Sequence, residues 1–339
     1  MQILKIITLI FIGLNSNIQF AQNDPHLNLA IELMKNQKYK EALPELNQFL
    51  DNNANSGLGY FQRGTCYLMI QKPNVAVVDF NQAIRLDTNI TDVYFNRALA
   101  HQALKNYTFA EADFLIYLSK KPNAVKTNLN LAMLMEEMAD YNSALSYYNR
   151  YLQVYPKDIE ALKSRALTYS ELGHLNMALD DIESCFRISP NDTAIWMLKG
   201  NICYDAQSYQ SAIDAYNIIL LNYPNTFRAL LNRADAYMAN KQFEQAVNDF
   251  IRLLSMDPRN AEHHFNLGFC YLQLSKNTES VQSFSHALDN EYENFGLLLM
   301  FRGVAYNNLK MSSEACADWN KSLALGCKEA ANYIDSYCK

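Results

Sequence analysis

A repeat of 34 residues constrains this sequence more than any other feature. Five prolines follow one another at that interval: Pro122, Pro156, Pro190, Pro224 and Pro258. Small residues keep the same step, at Gly64, Ala98, Ala132, Ala166, Gly200, Ala234 and Gly268, and again at Ala76, Ala110, Ala144, Ala178, Ala212 and Ala246. Internal repeats of 20 to 50 residues are typical of proteins that stack one supersecondary unit many times.

Each unit has the pattern of two short helices joined by a turn. Residues 94–118 (YFNRALAHQALKNYTFAEADFLIYL) carry apolar residues at helical spacing on both sides of KNY. The two small positions let the helices approach closely, and a bulky residue such as Phe114 fills the space beside them. The late proline ends the second helix. One such hairpin cannot bury its apolar face alone, so the units are predicted to stack.

This combination of Gly or Ala, Tyr, Ala, an aromatic residue and Pro in 34 residues resembles the tetratricopeptide repeat family. The resemblance covers 23–326 as nine repeats, with starts near residues 23, 57, 91, 125, 159, 193, 227, 261 and 296. It implies an all-α fold, a right-handed superhelical solenoid with a concave face. The first unit departs from the pattern because Pro44 falls inside its second helix, and the eighth has Ser280 in place of Ala.

An Arg and an Asp recur 16 residues apart in five units. The pairs are Arg63 with Asp79, Arg97 with Asp113, Arg165 with Asp181, Arg233 with Asp249, and Arg302 with Asp318. Units without the Arg also lack the Asp, for example Lys199 opposite Ala215. A partly buried Arg without its partner would leave a costly unpaired charge. The pattern therefore predicts structural salt bridges. The alternative is that the five arginines form anion-binding sites.

The resemblance also implies where a partner would bind. In this family the concave groove is lined by fixed positions of the first helices, which correspond here to Phe61, Phe95, Leu129, Lys163, Met197, Asn201, Leu231, Phe265, Phe269 and Met300. Only Lys163 and Asn201 match the residues with which some members clamp a terminal carboxylate. The apolar remainder suits a hydrophobic segment, although part of it could pack within the chain itself.

Composition and motifs give no support for catalysis or for nucleic-acid binding. The net charge is −6, whereas nucleic acid requires a basic face. The six His form no metal-binding spacing, and no phosphate loop or nucleophile elbow is found. We expect no enzyme activity, no cofactor and no metal.

The first 21 residues have the pattern of a secretory signal peptide. Residues 6–14 form an apolar run after the single charge of Lys5, and cleavage is expected near Ala21. The run is too short to span a bilayer, and no transmembrane span is expected in the mature chain. We therefore expect an exported protein, periplasmic or extracellular.

The C-terminal residues predict a capping helix over 327–339, after Gly326. If it runs antiparallel to the preceding helix, Cys316 and Cys338 are nearly level, and an oxidising compartment would favour a disulfide between them. Cys185 and Cys203 lie on adjoining helices and could also pair.

The favoured function is a protein-interaction scaffold or adaptor in the cell envelope, with a protein or peptide partner of unknown identity. A structural subunit of an envelope assembly, using the convex face and the ends, is one alternative. A carbohydrate-binding solenoid, motivated by 22 Tyr and 17 Phe, is another. The sequence does not indicate the oligomeric state.

Overall fold

The computed structural model describes residues 24–338, and this part of the chain contains nineteen α-helices and no strand. The predicted signal peptide, residues 1–21, lies outside the described residues. The helices are α1 Pro25–Lys35, α2 Tyr39–Asn52, α3 Gly57–Met69, α4 Pro73–Leu86, α5 Asp92–Ala103, α6 Tyr107–Lys120, α7 Lys126–Glu137, α8 Tyr141–Val154, α9 Ile159–Glu171, α10 Leu175–Ile188, α11 Thr193–Asp205, α12 Tyr209–Asn222, α13 Phe227–Ala239, α14 Phe243–Met256, α15 Ala261–Gln273, α16 Asn277–Asp289, α17 Phe295–Asn308, α18 Ser312–Ala324 and α19 Ala330–Tyr337. The predicted all-α repeat fold is confirmed.

The chain divides into two units inside α9. Unit 1 ends at Ala161 and holds α1 to α8, and unit 2 begins at Leu162 and runs through α19. Within each unit, helices that are consecutive in the chain pack on one another. These contacts occur both inside a hairpin and between the second helix of one hairpin and the first helix of the next. None of the described helices is long and apolar enough to cross a membrane.

The turn inside each helix pair uses one residue with a positive φ. These residues recur with the 34-residue period at Gln37, Gln71, Lys105, Ala139, Gly173, Gln207, Lys241 and Ser275. A left-handed residue just after a helix lets the following backbone N–H groups satisfy the last carbonyls of that helix. Lys38 N, for example, donates to Leu33 O at 2.8 Å. The same local geometry therefore closes every one of these hairpins.

The recurring small residues make room for a ring on the partner helix. A Cβ added to Gly64 would lie 2.8 Å from the Phe80 ring, and one on Gly200 would lie 2.3 Å from the Tyr216 ring. Both rings are almost fully buried. The glycines thus permit a close contact that larger residues would prevent.

The departures from the repeat pattern are accommodated locally. Ser280 is fully buried, and its hydroxyl donates to Gly268 O at 2.9 Å, so the polar group that replaces a methyl is satisfied. Pro44 lies inside α2, in the second turn of the helix.

At the C-terminal end, α19 packs on α18, and the structure contains a disulfide between Cys316 and Cys338. Trp319 is fully buried beneath Tyr333, with ring centroids 5.1 Å apart. Cys185 and Cys203 are buried thiols that are not joined to each other.

Candidate functional site

The five Arg–Asp pairs lie inside the helix hairpins. In each pair, Nε and Nη2 of the guanidinium donate to the two carboxylate oxygens, at 2.6 to 2.9 Å. The carboxylates belong to buried residues; Asp249, for example, is 2% exposed. Two parallel charge-assisted hydrogen bonds fix the geometry as well as the charge balance.

In four of these pairs the third arginine nitrogen reaches the preceding repeat. Nη1 donates to Asn47 from Arg63, to Asn81 from Arg97, to Asn217 from Arg233 and to Ser285 from Arg302. Each of these arginines therefore joins three helices: its own, the second helix of its hairpin and the second helix of the preceding hairpin. Their donors are already used by the fold, which favours the structural interpretation over anion binding.

Lys199 occupies the repeat position of these arginines, opposite Ala215, and lies in a different environment. Its Nζ lies 5.2 Å from the ring centroid of Trp196 and 5.7 Å from that of Phe186. The two rings are themselves 4.2 Å apart. A cation over aromatic faces stabilises the charge where no carboxylate is present.

The groove residues predicted in unit 1 are mostly packed within the repeats. Phe61 is 3% exposed, and Phe95 is 6% exposed and lies 5.4 Å from Phe114 between ring centroids. Leu129 is half-buried. The aromatic residues of this face therefore contribute to the core of unit 1, and little of their surface is available to a partner.

In unit 2 the predicted groove residues fall into two groups. Phe265 and Met300 are buried, and the Phe265 ring stacks on Tyr292 at 4.4 Å, nearly parallel. The others are half-buried: Lys163, Met197, Asn201, Leu231 and Phe269. We call the half-buried residues of α11, α13 and α15, namely Met197, Asn201, Leu231, Asp235 and Phe269, the unit 2 face.

An amide network holds two helices of the unit 2 face together. Asn232 Nδ2 donates to Asn201 Oδ1 at 2.9 Å, and Tyr216 Oη donates to the same oxygen at 2.9 Å. The corresponding residues of unit 1 form a similar link, from Asn96 Nδ2 to Thr65 Oγ1 at 3.0 Å. The recurring amides are used at least partly to hold neighbouring first helices in register.

Asp235 is the one charged residue of the unit 2 face. It lies one turn beyond Leu231 on α13, and burial, with a smaller contribution from the nearby charge of Glu262, raises the pKa of its carboxyl to about 6. Asp235 is not among the groove residues that were predicted from the sequence, most of which are apolar. The sequence does distinguish this position, because an acidic residue replaces the apolar or amide residues found at most equivalent positions.

The described residues do not form a metal centre. No group of three or more His, Cys, Asp or Glu side chains between residues 24 and 338 is placed to hold a metal ion. The Cys66 and Cys270 thiols are buried, and burial raises the pKa of each to about 12, so neither thiol is a nucleophile at neutral pH.

Comparison with known protein families agrees with the helical repeat. Two family models described as tetratricopeptide repeat match residues 131–199 and residues 231–291. The chain is a tetratricopeptide repeat protein.

Solved structures share this repeat fold. A tetratricopeptide repeat protein from Parabacteroides merdae ATCC 43184 is 16% identical, with a TM-score of 0.53 over 74% of this chain and 98% of that one. The C-terminal part of a TPR repeat-containing protein from Cytophaga hutchinsonii is 15% identical, with a TM-score of 0.63 over 71% and 98% of the two chains. At these identities the likeness shows the fold alone.

Among curated relatives, the E3 ubiquitin-protein ligase CHIP of Arabidopsis thaliana is 23% identical over 154 residues. The match covers 39% of this chain and 55% of the relative, so the chain spans about half the length of that protein. Tetratricopeptide repeat proteins generally mediate protein–protein interactions, and this is the functional class to which the repeats assign the chain.

Proposed function

We propose that this chain is a non-enzymatic scaffold of the cell envelope that binds a segment of a protein partner on the unit 2 face. The observation that carries the proposal is that Met197, Leu231 and Phe269 are only half-buried on three successive first helices. The other apolar residues predicted for the groove within these helices and α17, Phe265 and Met300, are buried. The expected export of the chain rests on the apolar N-terminal run and is part of this proposal.

The packing of the face favours a preformed binding surface. Asn201 and Asn232 hold α11 and α13 in register, and Phe269 is fixed between Phe243 and Phe301, with ring centroids 6.4 and 5.3 Å away. Because the helices are already ordered, little conformational entropy is lost from the scaffold when a partner segment binds.

The structure also determines which substitutions can test this function. Phe265→Asp would place a charge in an aromatic cluster with Phe284, Tyr292 and Phe301, and its effect on binding could not be separated from unfolding. Leu231→Asp changes a half-buried residue of the face that also packs against the core of unit 2, so circular dichroism must show that this variant is folded. Leu221→Asp makes the same chemical change on α12 at a side chain that is 78% exposed, and serves as the matched control.

The test combines affinity capture with contact mapping in the cells that express the protein. The full chain carries a photo-crosslinking amino acid at position 231 or at position 221, and crosslinked proteins are identified by mass spectrometry. We expect a protein to be crosslinked from position 231 only, and its capture to be lost with Leu231→Asp and kept with Leu221→Asp. Equal crosslinking from both positions, or capture unaffected by Leu231→Asp, would contradict binding on this face.

A structural role in an assembly remains the second candidate because several second helices expose large apolar residues. Val78 is 66% exposed on α4, Phe109 is 65% exposed on α6, and Leu221 is 78% exposed on α12. Exposed apolar residues favour contacts between proteins where they form a contiguous patch. Crosslinking from position 221 to a second copy of the chain would support this candidate.

A further inference from the structure

The charge of the unit 2 face is not balanced by the basic residues that share its helices. Lys199 on α11 lies over Trp196 and Phe186, and Arg233 on α13 is held by Asp249. Arg228 stands exposed in the first turn of α13, two turns before Asp235. Within residues 24–338, Asp235 has no ion pair.

The groups that act on Asp235 and its neighbours are acidic. Burial raises the pKa of the Asp235 carboxyl, and the charge of Glu262, exposed at the start of α15, raises it further. Burial raises the pKa of the Tyr204 hydroxyl at the end of α11, and the charges of Asp235 and Asp205 raise it further. The face therefore presents negative charge beside half-buried apolar surface.

The apolar residues of the unit 2 face suit a long aliphatic stem that ends in a cation. Met197, Leu231 and Phe269 supply apolar surface on three successive first helices. Lys and Arg bury their methylene stems along such surface and place the charged end near a carboxylate. A purely apolar segment would instead leave Asp235 covered and without a partner, which is unfavourable.

We propose that the unit 2 face receives a basic side chain, Lys or Arg, of the bound segment, held by Asp235 and Glu262 with its stem against Met197, Leu231 and Phe269. The inference rests on the proposed function and adds the chemical class of the partner: a segment with a basic residue flanked by apolar ones. Charge complementarity at a partly desolvated position gives specificity for such a segment over a neutral one.

The proposal is tested with the full chain and a peptide array. The array holds nonapeptides that are acetylated at the N-terminus and amidated at the C-terminus, with varied apolar flanks and Lys, norleucine or Glu at the centre. Norleucine keeps the aliphatic stem and lacks the ammonium group. We expect retention of the labelled protein to be about tenfold stronger on Lys peptides than on their norleucine counterparts, and weakest on Glu peptides.

Two double variants make the test specific to this face. Asp235→Asn with Glu262→Gln removes the proposed contacts. Asp214→Asn with Glu244→Gln removes the same charge from exposed residues of α12 and α14. We expect the first variant to lose the preference for Lys while it still retains norleucine peptides, and the second to keep the preference. Circular dichroism and thermal unfolding are used to check that both variants are folded.

Each outcome separates the basic subsite from segment binding in general. Equal retention of Lys and norleucine peptides by the native chain overturns the subsite and leaves segment binding intact. A Lys preference that persists in Asp235→Asn with Glu262→Gln, or that disappears in both variants, also overturns the subsite, because the attraction is then general to the protein's charge. Retention of no peptide overturns the subsite and counts against segment binding itself.

Discussion

Arg233 and Asp249 form a two-point ion pair across one helix hairpin, with Nε donating to Oδ2 at 2.7 Å and Nη2 donating to Oδ1 at 2.6 Å. The same guanidinium donates from Nη1 to Asn217 of the preceding hairpin, at 2.6 Å. The Arg side chain is 15% exposed and the Asp side chain is 2% exposed. Arg233 thus satisfies a buried carboxylate and also links its own repeat to the preceding one.

We predict that these two residues are strongly coupled in stability. Arg233→Ala is expected to cost about 3–5 kcal/mol in the free energy of unfolding, because it leaves the Asp249 carboxylate buried and unpaired. Asp249→Ala should also destabilise, and the double variant should cost about 1–3 kcal/mol less than the sum of the two singles. Denaturant unfolding of the full chain measures all three.

Lys199→Ala is the control for this cycle, because Lys199 occupies the equivalent position without a carboxylate partner. It should cost only about 0.5–1 kcal/mol, the contribution of its cation–π contacts with Trp196 and Phe186. Additive losses for Arg233→Ala and Asp249→Ala would show that the observed hydrogen bonds do not couple the two residues.

The repeat architecture was accessible from the sequence because each of its determinants is local. The spacing of small residues, rings and prolines fixes a hairpin within 34 residues, and the Arg–Asp spacing places both partners inside that same hairpin. These interactions recur wherever the pattern recurs, so one unit explains the others.

The binding face was less predictable because neighbouring loops and repeats differ. Phe265 and Phe269 belong to the same predicted stripe, yet Tyr292, which follows α16, stacks on Phe265 and buries it, while Phe269 stays half-buried. The environment of Asp235 likewise depends on Glu262 from the next first helix. No residue pattern within a single repeat encodes such contacts.

A second prediction concerns the close contact between Gly200 and Tyr216. The Cβ of Gly200→Ala would lie 2.3 Å from the Tyr216 Cε1 atom, so either the ring or the helix must move. We expect a loss of about 1–3 kcal/mol. Gly296→Ala is the control, since its Cβ would have 3.3 Å to Cys327 Cβ, and its loss should stay below about 1 kcal/mol. Equal losses would argue against steric control at position 200.

The C-terminal disulfide should stabilise the capping helix α19. The bond closes a segment with a sequence separation of 22, and the entropy that it removes from the unfolded chain is worth about 3 kcal/mol. Cys316→Ser with Cys338→Ser should therefore lower the melting temperature and speed amide hydrogen exchange in α19. Cys327→Ser, a change in the loop before α19 that leaves the disulfide intact, should alter neither. Unchanged exchange in the double variant would contradict this role.

Asp235→Asn should stabilise the fold near neutral pH, and it should have no effect on stability in acid. Its carboxyl has a folded pKa of about 6, against an ordinary value of 3.8, so the unfolded chain releases this proton more readily. The contribution of this group to the free energy of unfolding therefore falls as pH rises from 3.8 to 6. Above pH 6 the fold remains destabilised by the buried charge. Allowing for solvent screening, the variant should gain about 1–2 kcal/mol at pH 7.5 and nothing at pH 3.5. Asp214→Asn is the control and should show no such difference between the two pH values.

His263 should make unit 2 less stable in acid, whereas the effect of Asp235 is to make it more stable there. Its side chain is 3% exposed between the rings of Phe227 and Phe250, and neither ring nitrogen has a hydrogen-bond partner within the described chain.

Burial lowers the pKa of His263 below its ordinary value of 6.5; His264 adds to this effect, while Glu262 and Asp257 oppose it. As pH falls through 6.5, the unfolded chain binds a proton at this residue before the folded chain does, and stability is lost.

His263→Leu fills the same apolar site without a titratable group. We expect its gain over the native chain to be larger at pH 5 than at pH 8, as measured by thermal unfolding at the two pH values. His174→Gln, at an exposed position before α10, is the control and should not change the pH dependence. If His263→Leu gives the same change at both pH values, the imidazole is protonated equally in the folded and unfolded chain, and acid acts on unit 2 through other groups.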